Sequence, residues 1–192
     1  METPRTSINW AAFDSSQWGL DYEKAAHDEE WGSFIAQHLL SLLSKRGLSL
    51  PADPQYLGMG AGMAHPELAF AQTLGITPLN ITLLDRNFGW EALRRIKAVS
   101  PETTLIDDVG LWSFLENPDV QGFSVVSLFG LDHKLRDQTV PRLAQNLPKI
   151  LVPNSVVCIC PGGASKLRGL WEQQGFTVLI NGVIQAYYLS PR

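Results

Sequence analysis

Gly58, Gly60 and Gly62 fall at every second position in the run Tyr56-Leu57-Gly58-Met59-Gly60-Ala61-Gly62-Met63. Residues without a Cβ at this spacing allow a tight turn and let a flat or chain-like ligand lie against the backbone. The helix expected to follow opens at His65 and Pro66, where Pro66 suits the first helical position and Glu67 suits the positive end of the helix dipole. A dinucleotide fingerprint needs a third glycine or an alanine at the sixth position, which is Met63 counted from Gly58 and His65 counted from Gly60. No Gly-Lys-Ser/Thr follows, so the loop is not a P-loop, and no G-x-S-x-G elbow supports a hydrolase. The spacing that fits is G-x-G-x-G; an ordinary strand-to-helix turn is the plain alternative. Cys158 and Cys160, the only cysteines, sit in an apolar run and read as two buried small hydrophobes rather than a disulfide or zinc site.

A regular series of elements must position that loop. Trp31, Phe34, Ile35, His38, Leu39, Leu42 and Leu43 recur at helical spacing and predict an amphipathic helix from about His27 to Arg46, with His38 on its apolar face. Beyond the Pro51–Pro54 linker, short apolar runs alternate with helical stretches. Strands are expected at Tyr56–Gly58, Leu79–Leu84, Thr103–Ile106, Phe123–Leu128 and Ser155–Cys160. Helices are expected at His65–Leu74, Phe88–Val99, Leu111–Glu116 and Asp137–Ile150. Apolar strands without clean alternation, separated by helices, imply a parallel sheet covered on both faces. At the C-terminus a helix from about Ala164 to Gln174 leads into Phe176–Ile180, Asn181-Gly182 and Val183–Leu189. Asn-Gly between two strand-like runs predicts a type I′ hairpin, which makes the last strand antiparallel.

This series of landmarks, over about residues 54 to 190, resembles the class I S-adenosylmethionine-dependent methyltransferases. The resemblance implies an α/β, doubly wound, Rossmann-like methyltransferase fold with a seven-stranded, mostly parallel sheet and an antiparallel C-terminal strand. It also implies S-adenosyl-L-methionine as cofactor. Gly58, Met59, Gly60 and Gly62 match the first motif, around the methionine portion. Asp85, after Ile81–Leu84 and followed by Arg86, matches the acid that grips the ribose hydroxyls, a role suited to a carboxylate that can accept two hydrogen bonds from a vicinal diol. Of Asp107-Asp108-Val109, Asp108 with Val109 is favoured as the adenine contact, with Asp107 as the alternative. Phe123–Leu131 resembles the fourth motif and puts Phe129 beside the transferable methyl. Pro161-Gly162-Gly163 follows the fifth strand, whereas the family pattern has it before. Two further departures stand out: Tyr56 occupies the position of an acid that usually ends the first strand, and the Asp/Asn-Pro-Pro-Tyr/Phe sequence used on base or glutamine amino groups is missing.

A methyl group carried on a sulfonium is already activated, so the protein mainly has to align the acceptor, with a base if the acceptor must lose a proton. His133, in Phe129-Gly130-Leu131-Asp132-His133, is the candidate base because it lies just beyond the fourth strand, at the ligand-binding edge of the sheet. Asp132 with Asp137 is too sparse for a metal site, and none is expected. Trp10, Phe13, Trp18 and Tyr22 precede the first helix; Trp18 and Tyr22 are the candidates for an acceptor wall, and anchoring of the N-terminal arm is the alternative role.

The 192 residues, 45% hydrophobic and 18% charged, suit one globular domain: residues 1–50 as a helical, aromatic lid region and 51–192 as the cofactor-binding core. A net charge of −4 provides no overall positive field for nucleic acid or anionic lipid, which leaves a small-molecule methyl acceptor as the expected partner. No leader or membrane span is read from the sequence, and a cytoplasmic location is expected. Two rival readings remain: a non-catalytic S-adenosylmethionine-binding regulator or scaffold of the same fold, which Tyr56 favours, and an NAD(P)-dependent oxidoreductase, which Met63 disfavours.

Overall fold

The computed structural model describes residues 29–117, 119–129, 139–160, 168–181 and 185–190. In chain order its elements are α1 (Glu29–Lys45), β1 (Tyr56–Met59), α2 (His65–Thr73), β2 (Ile81–Leu84), α3 (Trp90–Val99) and β3 (Thr104–Ile106). They continue through α4 (Leu111–Leu115), β4 (Phe123–Phe129), α5 (Thr139–Ile150), β5 (Leu151–Cys160), α6 (Arg168–Gln173), β6 (Phe176–Asn181) and β7 (Gln185–Leu189). The strands form one seven-stranded sheet in the order β3-β2-β1-β4-β5-β7-β6. Pairs β3–β2, β2–β1, β1–β4 and β4–β5 are parallel, while β7 runs antiparallel to both β5 and β6. The doubly wound, mostly parallel sheet expected from the alternation is the sheet observed.

Alternation along the strands divides the interior into two layers. Tyr56, Leu83, Val125, Phe129, Val156, Cys158 and Tyr188 face α1, α2 and α3, whose Ile35, Leu39, Leu68, Phe70 and Ile96 complete one core cluster. Leu57, Met59, Leu84, Val126, Leu128, Val157 and Tyr187 face the other way and pack with Phe114, Leu143, Leu147 and Trp171 of α4, α5 and α6. Trp171 stacks on Tyr187 at 4.5 Å between ring centroids and meets Phe176 edge-on at 5.2 Å, which anchors α6 to the antiparallel pair. Helices on both faces explain why the strands are apolar on both sides.

Several local expectations are sharpened or corrected. His38, read as a core or boundary residue, is at the boundary: it is exposed at the edge of the apolar stripe of α1 and stacks parallel to Phe34, one turn earlier. The second strand begins at Ile81, because Pro78–Asn80 forms a 3₁₀ turn that leaves Leu79 70% exposed. Phe88 does not begin a helix; it is buried, and Gly89 caps α3 instead. The C-terminal hairpin is present, but Asn181 still pairs with Gln185 in the ladder, so it is not the first residue of a two-residue turn. A register shift between Val178 and Ile180 accompanies that offset, and residues 182–184 lie outside the described residues.

Candidate functional site

The strand order reverses between β1 and β4, so the carboxyl ends of these two strands flank the switch point where ligands of open α/β sheets bind. Gly58 lies level with Leu83 of β2 and Ser127 of β4. The glycine loop leaves β1 here and wraps the end of β2. Gly60 N and Ala61 N donate to the Leu84 carbonyl at 2.8 and 3.2 Å, and Gly62 N donates to Asp85 Oδ2 at 2.8 Å. Gly60, Gly62 and Ala64 all have positive φ, at 70°, 51° and 58°. This is left-handed backbone that glycine adopts at no steric cost and alanine does not. A Cβ built on Gly62 would have no atom within 4 Å, whereas one on Gly58 would lie 2.9 to 3.1 Å from Leu83, Glu67 and Tyr56. The two glycines are therefore required for different reasons: Gly58 for packing beneath the loop and Gly62 for the backbone turn, with its outer face open.

Asp85 follows β2 and is partly buried. Its Oδ2 accepts from Gly62 N and its Oδ1 from Asn87 N at 3.0 Å, which fixes the carboxylate between the loop and the next turn. A carboxylate has about four acceptor positions, so two remain for a ligand. Arg86 beside it is exposed. After β3, Asp107 Oδ1 accepts from Phe88 N and Asp108 N, both at 2.9 Å, and so ties this corner to the segment leading into α3. Asp108 takes a left-handed φ of 60° and is exposed, while Val109 packs onto the α4 to α6 layer. The alternatives for the adenine contact thus differ in structure: Asp107 is engaged with backbone, and Asp108 is turned outward.

Met59 is fully buried, so only its backbone borders the loop. Phe129 ends β4, but its ring is 3% exposed and sits between Trp31 at 5.3 Å and Phe70 at 5.2 Å, where it supports the switch point from within the core. His133, Asp132, Trp18 and Tyr22, along with Trp10, Phe13, His27 and Pro161-Gly162-Gly163, lie outside the described residues.

Sequence reasoning missed a buried polar cluster behind the loop. Tyr56, the residue in the acid position, is fully buried, and its hydroxyl lies 2.5 Å from Ser127 Oγ. Burial holds its phenol well above the usual range, and the Glu67 charge adds to this. Glu67, read as a dipole partner at the start of α2, is 1% exposed, and its Oε2 has no hydrogen-bond partner. Burial raises its carboxyl well above the carboxylate range; its own backbone N–H opposes the shift, Asp85 adds to it, and Arg95 opposes it. Arg95 of α3 donates to the Met63 carbonyl at 3.0 Å and to Glu29 Oε1 at 2.8 Å, bracing the far end of the loop against α1. Cys158, on the same layer, has a thiol pushed up to about 12 by burial and behaves as a core residue.

An open glycine turn, a carboxylate with spare acceptor positions and an outward-turned acid at the next strand end suit a ligand that presents hydroxyl or amino donors.

No protein-family model and no curated protein sequence matches the chain. Solved structures do. DesVI from Streptomyces venezuelae superposes with a TM-score of 0.57 at 13% identity, covering 94% of this chain and 99% of that one. A methyltransferase from Pyrococcus furiosus gives 0.57 at 16% identity over 81% and 83%. A SAM-dependent methyltransferase from Archaeoglobus fulgidus gives 0.56 at 14% identity over 83% and 74%. At such identities the likeness speaks to architecture: the chain has the Rossmann-like fold of the class I methyltransferases.

Proposed function

We propose that the protein is an S-adenosylmethionine-dependent methyltransferase acting on a small-molecule acceptor. The observation that carries this reading is the Asp85 carboxylate, which clasps the glycine loop through Gly62 N–H at the switch-point edge of the sheet and keeps acceptor positions free. When bound, the cofactor supplies a methyl group activated by its sulfonium. The chain's own residues bind and align. Gly58, Gly60 and Gly62, with the backbone of Met59, form the surface under the methionine portion, and Asp85 with Arg86 serves the ribose. Asp107 braces the corner from which Asp108 and Val109 serve the adenine, and Phe129 stiffens the wall beneath. His133 is the base for an acceptor that must lose a proton, with Trp18 and Tyr22 as its apolar wall. The acidic net charge of −4 supports a small acceptor over nucleic acid.

Calorimetry with S-adenosylhomocysteine, NAD and NADP tests the cofactor, and the expected result is binding of the first alone. Binding of a nicotinamide alone would overturn the assignment. His133→Ala is expected to slow turnover with cofactor affinity unchanged, and full activity would remove it as base. Gly62→Ala tests the loop itself. With open space around the new methyl, the fold bears only left-handed strain, about 1–2 kcal/mol. The methyl stands on the open side of the turn, so S-adenosylhomocysteine should bind roughly tenfold more weakly or worse. Unchanged affinity in that variant would show that the ligand does not lie on the loop.

Tyr56 supports a second reading, a binding protein of the same fold without transfer activity, because the residue that stands in the acid position is a buried phenol bonded to Ser127 at the first position of β1, and it supplies no acid to the loop. Tight S-adenosylhomocysteine binding with no methylated product from any acceptor would favour it.

A further inference from the structure

Glu67 is a buried acid that nothing described above employs. Its side chain enters from the first turn of α2 beneath the glycine loop, and its Cγ would lie 3.1 Å from a Cβ on Gly58. Three side chains act on it: Tyr56 of β1, which is hydrogen-bonded to Ser127 of β4, Asp85 after β2, and Arg95 of α3. Cys158 of β5 stands behind Tyr56. The only cation among them, Arg95, has its guanidinium on the Met63 carbonyl and Glu29. Oε2 is left without a partner, a state that costs free energy in a packed interior and costs most when the group is ionised with no positive charge at hand.

We propose that Glu67 is a charge-matching positioning residue of the loop site, giving up its proton to solvent when a ligand carrying an ammonium or sulfonium group settles over Gly58. This rests on the reading of the loop as a cofactor site, and it adds that occupancy is coupled to proton release. In the empty protein the carboxyl keeps its proton, since burial and the neighbouring Asp85 both hold its ionisation above the usual range. An incoming cation lowers that ionisation, and the resulting carboxylate attracts the cation through a thin wall of low dielectric. The released proton passes to buffer, no bond in the ligand changes, and the charge gained by Glu67 offsets the ligand's cationic group.

Linkage fixes the stability profile of the empty protein. The neutral carboxyl contributes its full stability below the unfolded carboxylate range, and the contribution is lost as pH rises through the higher native ionisation. Glu67→Gln should flatten that part of the stability–pH curve, although this effect alone would also follow from a purely structural buried acid.

Titration calorimetry on the full chain at neutral pH, repeated in buffers of different ionisation enthalpy, separates the two cases. With S-adenosylmethionine (ammonium and sulfonium) or S-adenosylhomocysteine (ammonium alone), wild type should release about one proton per ligand bound. Methylthioadenosine carries neither charge and should release none. Glu67→Gln should abolish the release and bind the charged ligands more weakly while binding methylthioadenosine as before. Release with S-adenosylmethionine alone would assign the partner as the sulfonium. Wild-type binding of both charged ligands with no buffer dependence overturns the coupling and leaves the proposed function standing. Failure of all three ligands to bind wild type overturns both. The wild-type arms need no variant, so they decide the question even if Glu67→Gln does not fold.

Discussion

Asp85→Ala is expected to weaken S-adenosylhomocysteine binding by about 1.5–3 kcal/mol, roughly ten- to a hundredfold, through loss of two hydrogen bonds from the ribose hydroxyls to a charged acceptor. The structure adds a second consequence. Gly62 N and Asn87 N both donate to this carboxylate, so removing it also frees the glycine turn and the turn after β2. Each of these exposed backbone bonds contributes on the order of 1 kcal/mol, and the ligand then has to order a loop that wild type holds ready. Asp85→Asn should fall between the two, since an amide oxygen still accepts at one position but lacks charge and the second acceptor. Calorimetry with S-adenosylhomocysteine, alongside denaturant unfolding, separates the parts: a loss of affinity well beyond the loss of stability locates the carboxylate on the ligand. Unchanged affinity in Asp85→Ala would mean that the ligand does not contact this strand end and that the order of landmarks has been misread.

The residues legible in the sequence were those whose roles depend on nearby chain. Three glycines between a strand and a helix, an acid at the end of the next strand and two strand-like runs around Asn-Gly carry their meaning in local spacing, and the mostly parallel sheet followed from the alternation of elements. Glu67 was not legible in this way. At the first turn of a helix a glutamate ordinarily faces solvent and serves the dipole, but here α2 packs so closely against α1 and the sheet that Pro66 and Glu67 of its first turn are interior. Ser127 and Arg95 were missed for the same reason, because their partners Tyr56 and Met63 are distant in sequence. His38 was legible only to within the choice of core or boundary, because a residue at the margin of an apolar stripe can stack on its neighbour and remain in water. Leu79 was drawn into the strand by the apolar run after it, whereas Pro78 closes a short turn first.

Gly32→Ala should produce the largest loss of stability of any glycine-to-alanine change in the described helices, although alanine is the better helix former by about 1 kcal/mol. A Cβ at Gly32 would stand 2.1 Å from the Pro66 carbonyl oxygen, 2.8 Å from its carbon and 2.9 Å from its Cα. All three atoms are backbone, so no side chain can rotate aside; α1 must move away from the first turn of α2. Overpacking of a well-filled interior costs about 1–3 kcal/mol, and rigid backbone at the contact argues for the upper part of that range after the propensity gain is subtracted. Gly47→Ala provides the control, with a φ of 66° and no atom within 4 Å of its Cβ, so it carries left-handed strain of about 1–2 kcal/mol and no collision. Urea unfolding should therefore show a lower midpoint for Gly32→Ala than for Gly47→Ala with similar slopes. The effect should also reach the site, because Pro66 precedes Glu67, and Arg95 ties Met63 to Glu29 on the same helix as Gly32. S-adenosylhomocysteine affinity is thus expected to fall in Gly32→Ala and to hold in Gly47→Ala. A Gly32→Ala protein as stable as wild type would mean that α1 and α2 are not in backbone contact at Pro66, and that the glycine loop is positioned without α1.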